Sequence, residues 1–250
     1  MAKGIDCAVP LTVPKARALK ALGYDFAARY LVPEQYKWKR LTRIEAELIS
    51  EAGMQIVSVY ETTANRPTGG EKHGLVDGQK AYAEAKLIRQ PEGSAIYFAV
   101  DYDAQLKDYD AIEAYLRAAA SKIPGYVVGV YGSFAVVEEM ARRIPGIRVW
   151  QTYAWSRGKR SSHANIWQYK NGVTVANHTV DLNESFGGEG WWNTLKKEQK
   201  EAKPKMDPKD AEKIIRFLSA AWHATEDKEA RDELHRLANE VRKAAGMPVA

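Results

Sequence analysis

The stretch Ala95-Ile96-Tyr97-Phe98-Ala99-Val100-Asp101-Tyr102-Asp103 decides the expected fold, because a short apolar run ends in acidic residues. An apolar run of this length and composition predicts a buried β-strand. The same pattern recurs at Gly4-Ile5-Asp6 and at Thr179-Val180-Asp181. Carboxylates at the ends of several separate strands are typical of an α/β-barrel active site, where catalytic groups lie at the carboxyl ends of the strands.

Strand-like and helix-like segments alternate from residue 1 to about residue 190. Strands are predicted at 4–9, 25–31, 55–61, 94–101, 126–132, 147–153, 164–169 and 178–183. Helices are predicted at 13–22, 41–52, 75–90, 108–120 and 133–143. This alternation indicates an α/β fold with a largely parallel sheet, which closes into a barrel at this chain length.

The alternation fails between the last two predicted strands, which only residues 170–177 connect. A helical crossover between parallel strands needs about a dozen residues or more, so this connection is too short for one. It contains Asn171-Gly172, a strong signal for a hairpin turn. We therefore expect an irregular TIM-like (β/α) barrel with about five helices, a terminal β-hairpin and a last strand antiparallel to its neighbour.

A change in composition divides the chain near residue 195. We assign residues 1–195 to the barrel, 196–206 to a charged linker and 207–250 to a small all-α module. Within this module, Asp207-Pro208 predicts the start of one helix, and Asp227 and Gly246 predict the start and end of another. Two helices rarely bury enough apolar surface to fold alone. We expect them to pack on each other, on the linker, on the barrel or on a second copy, so dimerisation through them stays open.

Composition excludes several classes of protein. No apolar run is long enough to span a bilayer, so no membrane partner is expected. The net charge is +5, but no dense basic tract interleaved with aromatic residues accompanies it, so no nucleic-acid partner is expected. A strand is predicted within a few residues of the N-terminus, which leaves no room for a signal peptide. We therefore expect synthesis in the cytoplasm.

Asp101 and Asp103 are the first candidates for chemistry, because residues two apart on one strand share a face. Two carboxylates this close push their pKa values apart and leave one protonated near neutrality. A protonated and an ionised carboxyl group are the acid and the base or nucleophile of a glycosidase. The alternative is a polar strand end in which one aspartate caps the following helix.

Asp6 and Asp181 extend the candidate catalytic set to four carboxylates. Four converging carboxylates could instead ligate Mg²⁺ or Ca²⁺. No phosphate-binding glycine-rich loop accompanies them, and no two histidines show a metal-ligand spacing. We therefore predict neither a metal nor a cofactor.

Other residues at or near strand ends are candidate sugar contacts, since aromatic faces stack on sugar rings. The candidate substrate-binding residues are Arg29, Tyr60, Tyr131, Trp150, Gln151, Tyr153 and Gln168. For the aromatic residues the alternative is packing in the core. For Arg29 the alternatives are an acidic sugar substituent or a structural ion pair.

Six short motifs occur in an order that resembles glycoside hydrolase family 25 and the glycoside-hydrolase-like domain family related to it. They are Gly4-Ile5-Asp6, Phe98-Ala99-Val100-Asp101-Tyr102-Asp103, Gly129-Val130-Tyr131-Gly132, Val149-Trp150-Gln151-Thr152-Tyr153, Ile166-Trp167-Gln168-Tyr169 and Val180-Asp181-Leu182-Asn183. They span roughly residues 3–190. Family 25 enzymes are lysozymes that cleave the muramic-acid side of peptidoglycan glycan. The resemblance implies their irregular barrel with few helices.

The resemblance also implies that Asp6, Asp101 and Asp181 occupy acidic active-site positions. The family 25 pattern is Asp-x-Glu with the Glu as general acid, and Asp103 stands at the Glu position. Aspartate is shorter by one methylene, roughly 1.5 Å of reach. A misplacement near 1 Å can lower a rate about a hundredfold. Either the cleft is rebuilt around the shorter acid, or the barrel is weak or inactive as a hydrolase.

These observations favour a muramidase-like peptidoglycan hydrolase of the endolysin type, which acts on the bacterial cell wall after release. Asp103 is the candidate general acid, Asp101 stabilises the reacting centre, and Asp6 and Asp181 position groups in the cleft. The expected partner is peptidoglycan or another cell-wall polysaccharide. The C-terminal helices resemble wall-targeting modules of some phage lysins. The alternatives are a non-catalytic carbohydrate-binding barrel and a glycosidase that acts on another cell-surface polysaccharide.

Overall fold

The structure is a computed structural model that describes residues 1–195 and 206–249. The chain divides into two compact units, Met1–Leu195 and Lys196–Ala250. Residues 196–205 of the proposed charged linker lie outside the described residues. No helix in the described part of the chain is both long and apolar enough to cross a membrane.

The first unit is a closed barrel in which the strands follow one another around the ring in chain order. Its strands are β1 Ala2–Asp6, β2 Tyr24–Tyr30, β3 Gln55–Tyr60, β4 Ala95–Ala99, β5 Val127–Gly132, β6 Arg148–Thr152, β7 Ile166–Val175 and β8 His178–Ser185. The connecting helices are α1 Val13–Ala21, α2 Arg43–Glu51, α3 Gly70–Leu87, α4 Tyr109–Ser121 and α5 Phe134–Arg143. The predicted irregular α/β barrel is confirmed.

Local sequence signals account for the starts of the helices. The Thr42 side chain accepts a hydrogen bond from the Glu45 N–H at 3.2 Å, which caps α2. The Ser133 side chain caps α5 in the same way through the Val136 N–H. Each cap satisfies a backbone donor that has no partner within the helix. These caps also fix where the two strand-to-helix loops end, at Thr42 before α2 and at Ser133 before α5.

β8 closes the barrel by running antiparallel to both of its neighbours, β7 and β1. The expectation of an antiparallel last strand is confirmed. The turn lies elsewhere than predicted, because β7 continues to Val175 and the chain reverses at Ala176-Asn177. Both turn residues have positive φ, 50° and 55°, which a two-residue type I′ hairpin turn requires.

Asn171-Gly172, the predicted turn, lies instead in an irregularity of β7, where the register with β8 shifts between Lys170 and Val173. Gly172 has a φ of 65°, a left-handed conformation that glycine adopts without strain. An Asn-Gly pair therefore marks a positive-φ position here, but the position is a bulge within a strand.

The core has two layers because alternate residues of each strand face opposite sides of the barrel wall. The inner layer fills the barrel and consists of Phe26, Ala28, Val57, Val59, Ala95, Tyr97, Ala99, Tyr131, Trp150 and Ile166. The outer layer packs strands against helices, as for Ile96 and Phe98 with Tyr115 and Leu116. The inner layer ends below the carboxyl ends of the strands, where polar residues replace it.

Helices α3 and α4 approach closely because α3 has glycine at two buried positions that face α4. A Cβ atom on Gly74 would lie 2.2 Å from the Tyr115 carbonyl oxygen. One on Gly78 would lie 2.6 Å from the Ala119 carbonyl oxygen. These obstacles are backbone atoms, which cannot turn aside as a flexible side chain can.

The second unit contains α6 Pro208–Ala224 and α7 Lys228–Ala245. Asp207 and Asp227 cap the two helices with their side chains, and Gly246 ends α7 in the left-handed conformation. All three predicted helix boundaries are confirmed. Among the described residues of these helices, only Ala211 and Ala238 are buried. The two helices therefore have little core of their own.

We expect Gly74→Ala to destabilise the barrel, although alanine favours helix formation over glycine by about 1 kcal/mol. Overpacking against a rigid neighbour costs about 1–3 kcal/mol, and a Cβ 2.2 Å from a carbonyl oxygen lies at the severe end. The expected net loss is about 1–2 kcal/mol in the free energy of unfolding, measured by urea denaturation.

The matched control is Gln79→Ala, an exposed position on the same helix, where we expect a change within about 0.5 kcal/mol. If Gly74→Ala were as stable as the parent protein, the two helices would not be in the close contact described here.

Candidate active site

A cavity of about 100 Å³ lies at the carboxyl ends of the parallel strands. It brings together four carboxylates, from Asp6, Glu61, Asp101 and Asp181. The other lining residues are Tyr30, Val59, Ala99, Tyr131, Trp150, Gln168 and Asn171. Strand order explains this convergence, because β1, β3, β4 and β8 each bring one acidic residue to the same end of the ring.

The register of β8 against β1 places Asp181 directly opposite Asp6. Asp6 is the last residue of β1, and Asp181 lies in the first half of β8, which runs the other way. Because β8 runs antiparallel to β1, a residue in the first half of β8 lies beside the last residue of β1. Asp101 joins these two from the loop that follows β4.

Asp6 is held at the floor of the cavity by two side-chain amides. Its Oδ2 atom accepts hydrogen bonds from Gln168 Nε2 at 2.9 Å and from Asn183 Nδ2 at 2.7 Å. The Asn183 amide is oriented by Trp150, whose Nε1–H donates to Asn183 Oδ1 at 2.8 Å. Since indole nitrogen only donates, this contact fixes the amide nitrogen of Asn183 toward Asp6.

The Gln168 side-chain amide is also oriented by donors to its oxygen atom. Its Oε1 atom accepts hydrogen bonds from the Tyr131 hydroxyl and the Thr152 hydroxyl, each at 2.8 Å. Its amide nitrogen therefore faces Asp6, and also reaches Asp181 Oδ2 at 3.4 Å. Gln168, Tyr131 and Trp150, three of the candidate substrate-binding residues, thus line the cavity, and they also fix the position of Asp6.

Burial raises the pKa of Asp6 to about 7, with a further contribution from the nearby charge of Asp181. The hydrogen bonds from Asn183 and Gln168 act in the opposite direction but do not cancel the effect. A carboxyl group with this pKa exchanges a proton near neutral pH, which a general acid or base requires.

Burial also raises the pKa of Asp181, and a backbone hydrogen bond opposes the shift. The Gly172 N–H donates to Asp181 Oδ1 at 2.7 Å. The bulge in β7 therefore has a local role, because the irregular backbone at Gly172 presents its N–H to a carboxylate of the cavity.

On the other side of the cavity, Lys39 lies among acidic groups. Its Nζ atom is 3.8 Å from Glu61 Oε1 and 4.3 Å from the centre of the Tyr30 ring. Burial raises the pKa values of Glu61 and Asp101, while the Lys39 charge lowers both. Burial lowers the pKa of Lys39, which the two carboxylates oppose. Lys39 thus favours the ionised forms of Glu61 and Asp101.

Asp103 does not join the cavity. β4 ends at Ala99, so Asp101 and Asp103 both lie in the loop beyond it. The expectation that they share a strand face is therefore wrong, because the two-residue period of a strand does not extend into a loop. Asp103 is exposed and lines a separate groove.

Arg29 has no exposed surface, and its guanidinium forms an ion pair with Glu45 at 2.6 Å. It also donates to the carbonyl oxygens of Cys7, Ala8 and Lys39. Of the two alternatives for Arg29, the structure shows the structural ion pair. Arg29 fixes the loops after β1 and β2, and so supports the cavity from outside.

Three further candidates also lie outside the cavity lining. Tyr60 is buried in the outer core, with its hydroxyl 3.5 Å from Asp77. Gln151 is buried and bonds the backbone of Lys159 and Ser161, so it holds the loop after β6. Tyr153 is exposed in that loop. A strand-end position alone does not indicate which way a side chain points.

Glu61 and Lys39 were absent from the predicted set. Glu61 follows Tyr60 directly at the end of β3, so the strand-end rule that selected Asp6 could have selected it. No comparable signal marks Lys39, because it reaches Glu61 and Tyr30 from the irregular segment between β2 and α2. Across the described residues, no group of three or more His, Cys, Asp or Glu side chains is arranged to hold a metal ion.

Comparison with known proteins shows which family and which relatives this chain resembles. Residues 17–188 match the family model described as Rv2525c-like, glycoside hydrolase-like domain. The uncharacterized protein YbfG of Bacillus subtilis (strain 168) is 30% identical over 149 residues, which are 52% of this chain and 20% of YbfG. The chain spans about a fifth of the length of the curated relatives that it matches.

Solved structures show the same fold at low sequence identity. The Mycobacterium tuberculosis Tat-secreted protein Rv2525c, in complex with L-tartrate, has a TM-score of 0.68 and 23% identity, with 76% of this chain and 98% of that one covered. The autolysin LytC of Streptococcus pneumoniae, in complex with a synthetic peptidoglycan ligand, has a TM-score of 0.54 and 12% identity, covering 73% and 46%.

A family 25 glycosyl hydrolase from Bacillus anthracis has a TM-score of 0.50 and 14% identity, covering 76% and 90%. The resemblance to family 25 and its relatives is thus confirmed at the level of the fold. Because the matching family model extends over more than half of the 250 residues, the chain belongs to the Rv2525c-like, glycoside hydrolase-like domain family.

Proposed function

We propose that the barrel is a glycosidase that cleaves glycan strands of the bacterial cell wall. The observation that carries this proposal is the convergence of four carboxylates in one cavity, with the pKa of Asp6 raised to about 7. Glycosidases need one carboxyl group that is protonated and one that is ionised. The fold shared with a family 25 glycosyl hydrolase, and with an autolysin solved with a peptidoglycan ligand, supports the choice of substrate.

The roles follow from the surroundings of each group. Asp6 retains a proton near neutral pH and donates it to the leaving glycosidic oxygen. Asp101, whose ionised form Lys39 favours, supplies the negative charge that stabilises the oxocarbenium-like transition state. Asp181 raises the pKa of Asp6 through its charge. Because Asp103 lies outside the cavity, we assign to Asp6 the general-acid role that the sequence predicted for Asp103.

A second candidate function is a carbohydrate-binding barrel without hydrolysis. The observation that favours it is the position of Asp103, which stands where family 25 has its general acid but is exposed in a neighbouring groove. A wall-binding role for α6 and α7, and dimerisation through them, also remain proposals. Action at the cell wall after release belongs to the same proposal.

We expect Asp101→Asn and Asp103→Asn to differ sharply in cleavage of purified peptidoglycan, assayed as new reducing ends. Asp101→Asn removes a cavity charge and should lower the rate by about a hundredfold or more. Asp103→Asn makes the same chemical change two residues away, outside the cavity, and should change the rate by less than about threefold.

Loss of cleavage in Asp103→Asn with retention in Asp101→Asn would return the acid role to Asp103. Binding of glycan by the parent protein without any cleavage would establish the carbohydrate-binding barrel in place of the enzyme.

The raised pKa of Asp6 also predicts how stability depends on pH. The folded protein keeps a proton that the unfolded chain releases from about pH 4 upward. The stability contributed by this group is therefore complete below about pH 4 and falls by about 1.4 kcal/mol per pH unit up to about pH 7. Asp6→Asn cannot ionise, so it should be the more stable form at pH 8, by roughly 1–4 kcal/mol.

The measurement is urea unfolding of both proteins at pH 4, 6 and 8. The stability difference should widen from pH 4 to pH 8, whereas Gln79→Ala, an exposed change that involves no titratable group, should show a constant difference. An Asp6→Asn effect of the same size at pH 4 and pH 8 would contradict a raised pKa.

A further inference from the structure

A second concave site, a groove of about 260 Å³, has no part in the proposed cleavage. Three segments line it: residues 103–109 after β4, residues 134–135 at the start of α5 and residues 155–159 between β6 and β7. Asp101 lines the cavity and Asp103 lines the groove, and two residues of chain span at most about 7 Å. A ligand in the cavity could therefore extend a branch into the groove.

Charged side chains from two loops line the groove. Arg157 and Lys159 lie on the loop after β6, and Asp103 lies on the loop after β4. All three are exposed, and within the part of the chain that the structure describes none of them takes part in an ion pair. Lys159 Nζ lies 5.4 Å from the centre of the Phe134 ring. Two cations without ion-pair partners suit a ligand with carboxylates.

The groove also has exposed apolar surface. Trp155 is 41% exposed and Leu106 is 83% exposed, and both line the groove. Apolar side chains exposed within a concave site commonly mark a binding surface. The ligand that fits therefore combines carboxylates with aliphatic groups, as a short acidic peptide does.

The wall that holds the two cations is fixed before any ligand binds. Gln151 Nε2 donates to the Lys159 carbonyl oxygen at 2.8 Å, and Ser156 Oγ accepts from the Phe134 N–H at 2.9 Å. Trp155 and Arg157 have φ values of 54° and 51°, which non-glycine residues adopt only where the surroundings hold them. A preformed wall lowers the entropy lost on binding.

We propose that this groove is a subsite for the acidic peptide that branches from cell-wall glycan, with Arg157 and Lys159 as its specificity residues. The inference rests on the proposed function, which places the glycan in the cavity. Arg157 and Lys159 pair with peptide carboxylates, and Trp155 and Leu106 pack against aliphatic side chains. A phosphodiester polymer has no aliphatic side chains for Trp155 and Leu106 to pack against, which argues against it as the occupant.

The test compares three probes by calorimetry on the full chain. They are a wall disaccharide that carries an L-alanyl-D-glutamate branch, the same disaccharide without the branch, and an oligomer of glycerol phosphate. We expect the branched disaccharide to bind at least about tenfold more tightly than the unbranched one. In Arg157→Ala/Lys159→Ala this preference should fall below about twofold, with binding of the unbranched sugar unchanged.

The matched control is Arg17→Ala/Lys80→Ala, which removes two exposed cations from α1 and α3 and should keep the full preference. Equal binding of the branched and unbranched sugars by the parent protein would overturn the inference. So would a preference that survives in Arg157→Ala/Lys159→Ala, or tighter binding of the glycerol phosphate oligomer through Arg157 and Lys159.

Cleavage of purified peptidoglycan, measured in parallel, separates the two proposals. Cleavage without any preference for the branched sugar would overturn only the proposal that the groove binds peptide. A preference that depends on Arg157 and Lys159, without cleavage, would support that proposal and contradict only the proposed hydrolase activity.

Discussion

The pairing of β8 with β1 is the constraint on which the rest of the structure depends. It closes the barrel, and its antiparallel sense places Asp181 opposite Asp6. A parallel last strand would bring a residue from its far end to this position. The same strand supplies Asn183, whose amide holds Asp6. Closure of the barrel and assembly of the cavity therefore occur in the same step.

Once the barrel closes, the cavity concentrates negative charge in a largely buried place. The protein offsets this charge in three ways: side-chain amides around Asp6, a backbone N–H on Asp181, and Lys39 beside Glu61 and Asp101. None of these removes the cost of burial, because the pKa values of all four carboxyl groups are raised. Carboxyl groups that retain protons in the folded state are costly for stability and useful for proton transfer.

Local patterns were sufficient to predict the barrel, because strands, helices and caps depend on residues close together in the chain. The cavity could be predicted only in part. Asp6, Asp101, Asp181, Tyr131, Trp150 and Gln168 converge as expected, since the carboxyl ends of parallel strands meet. Asp103 fails because β4 ends before it, and the direction of a loop residue depends on distant contacts. Lys39 could not be predicted for the same reason, because its position also depends on distant contacts. The burial of Arg29 against Glu45 likewise becomes apparent only in the folded structure.

The contact between Asp6 and Asn183 joins residues 177 positions apart in the chain. Ribosomes add about 5–20 residues per second, so β1 emerges roughly 10–35 s before its partner exists. Throughout that interval the nascent chain has no acidic cavity, and β1 offers an unpaired edge to its surroundings. A protein proposed to attack the wall polymer of a bacterium thus acquires its reactive groups only when translation of the barrel is nearly complete. The exposure of the β1 edge during synthesis and the timing of activity are, on this view, set by the same long-range strand pair.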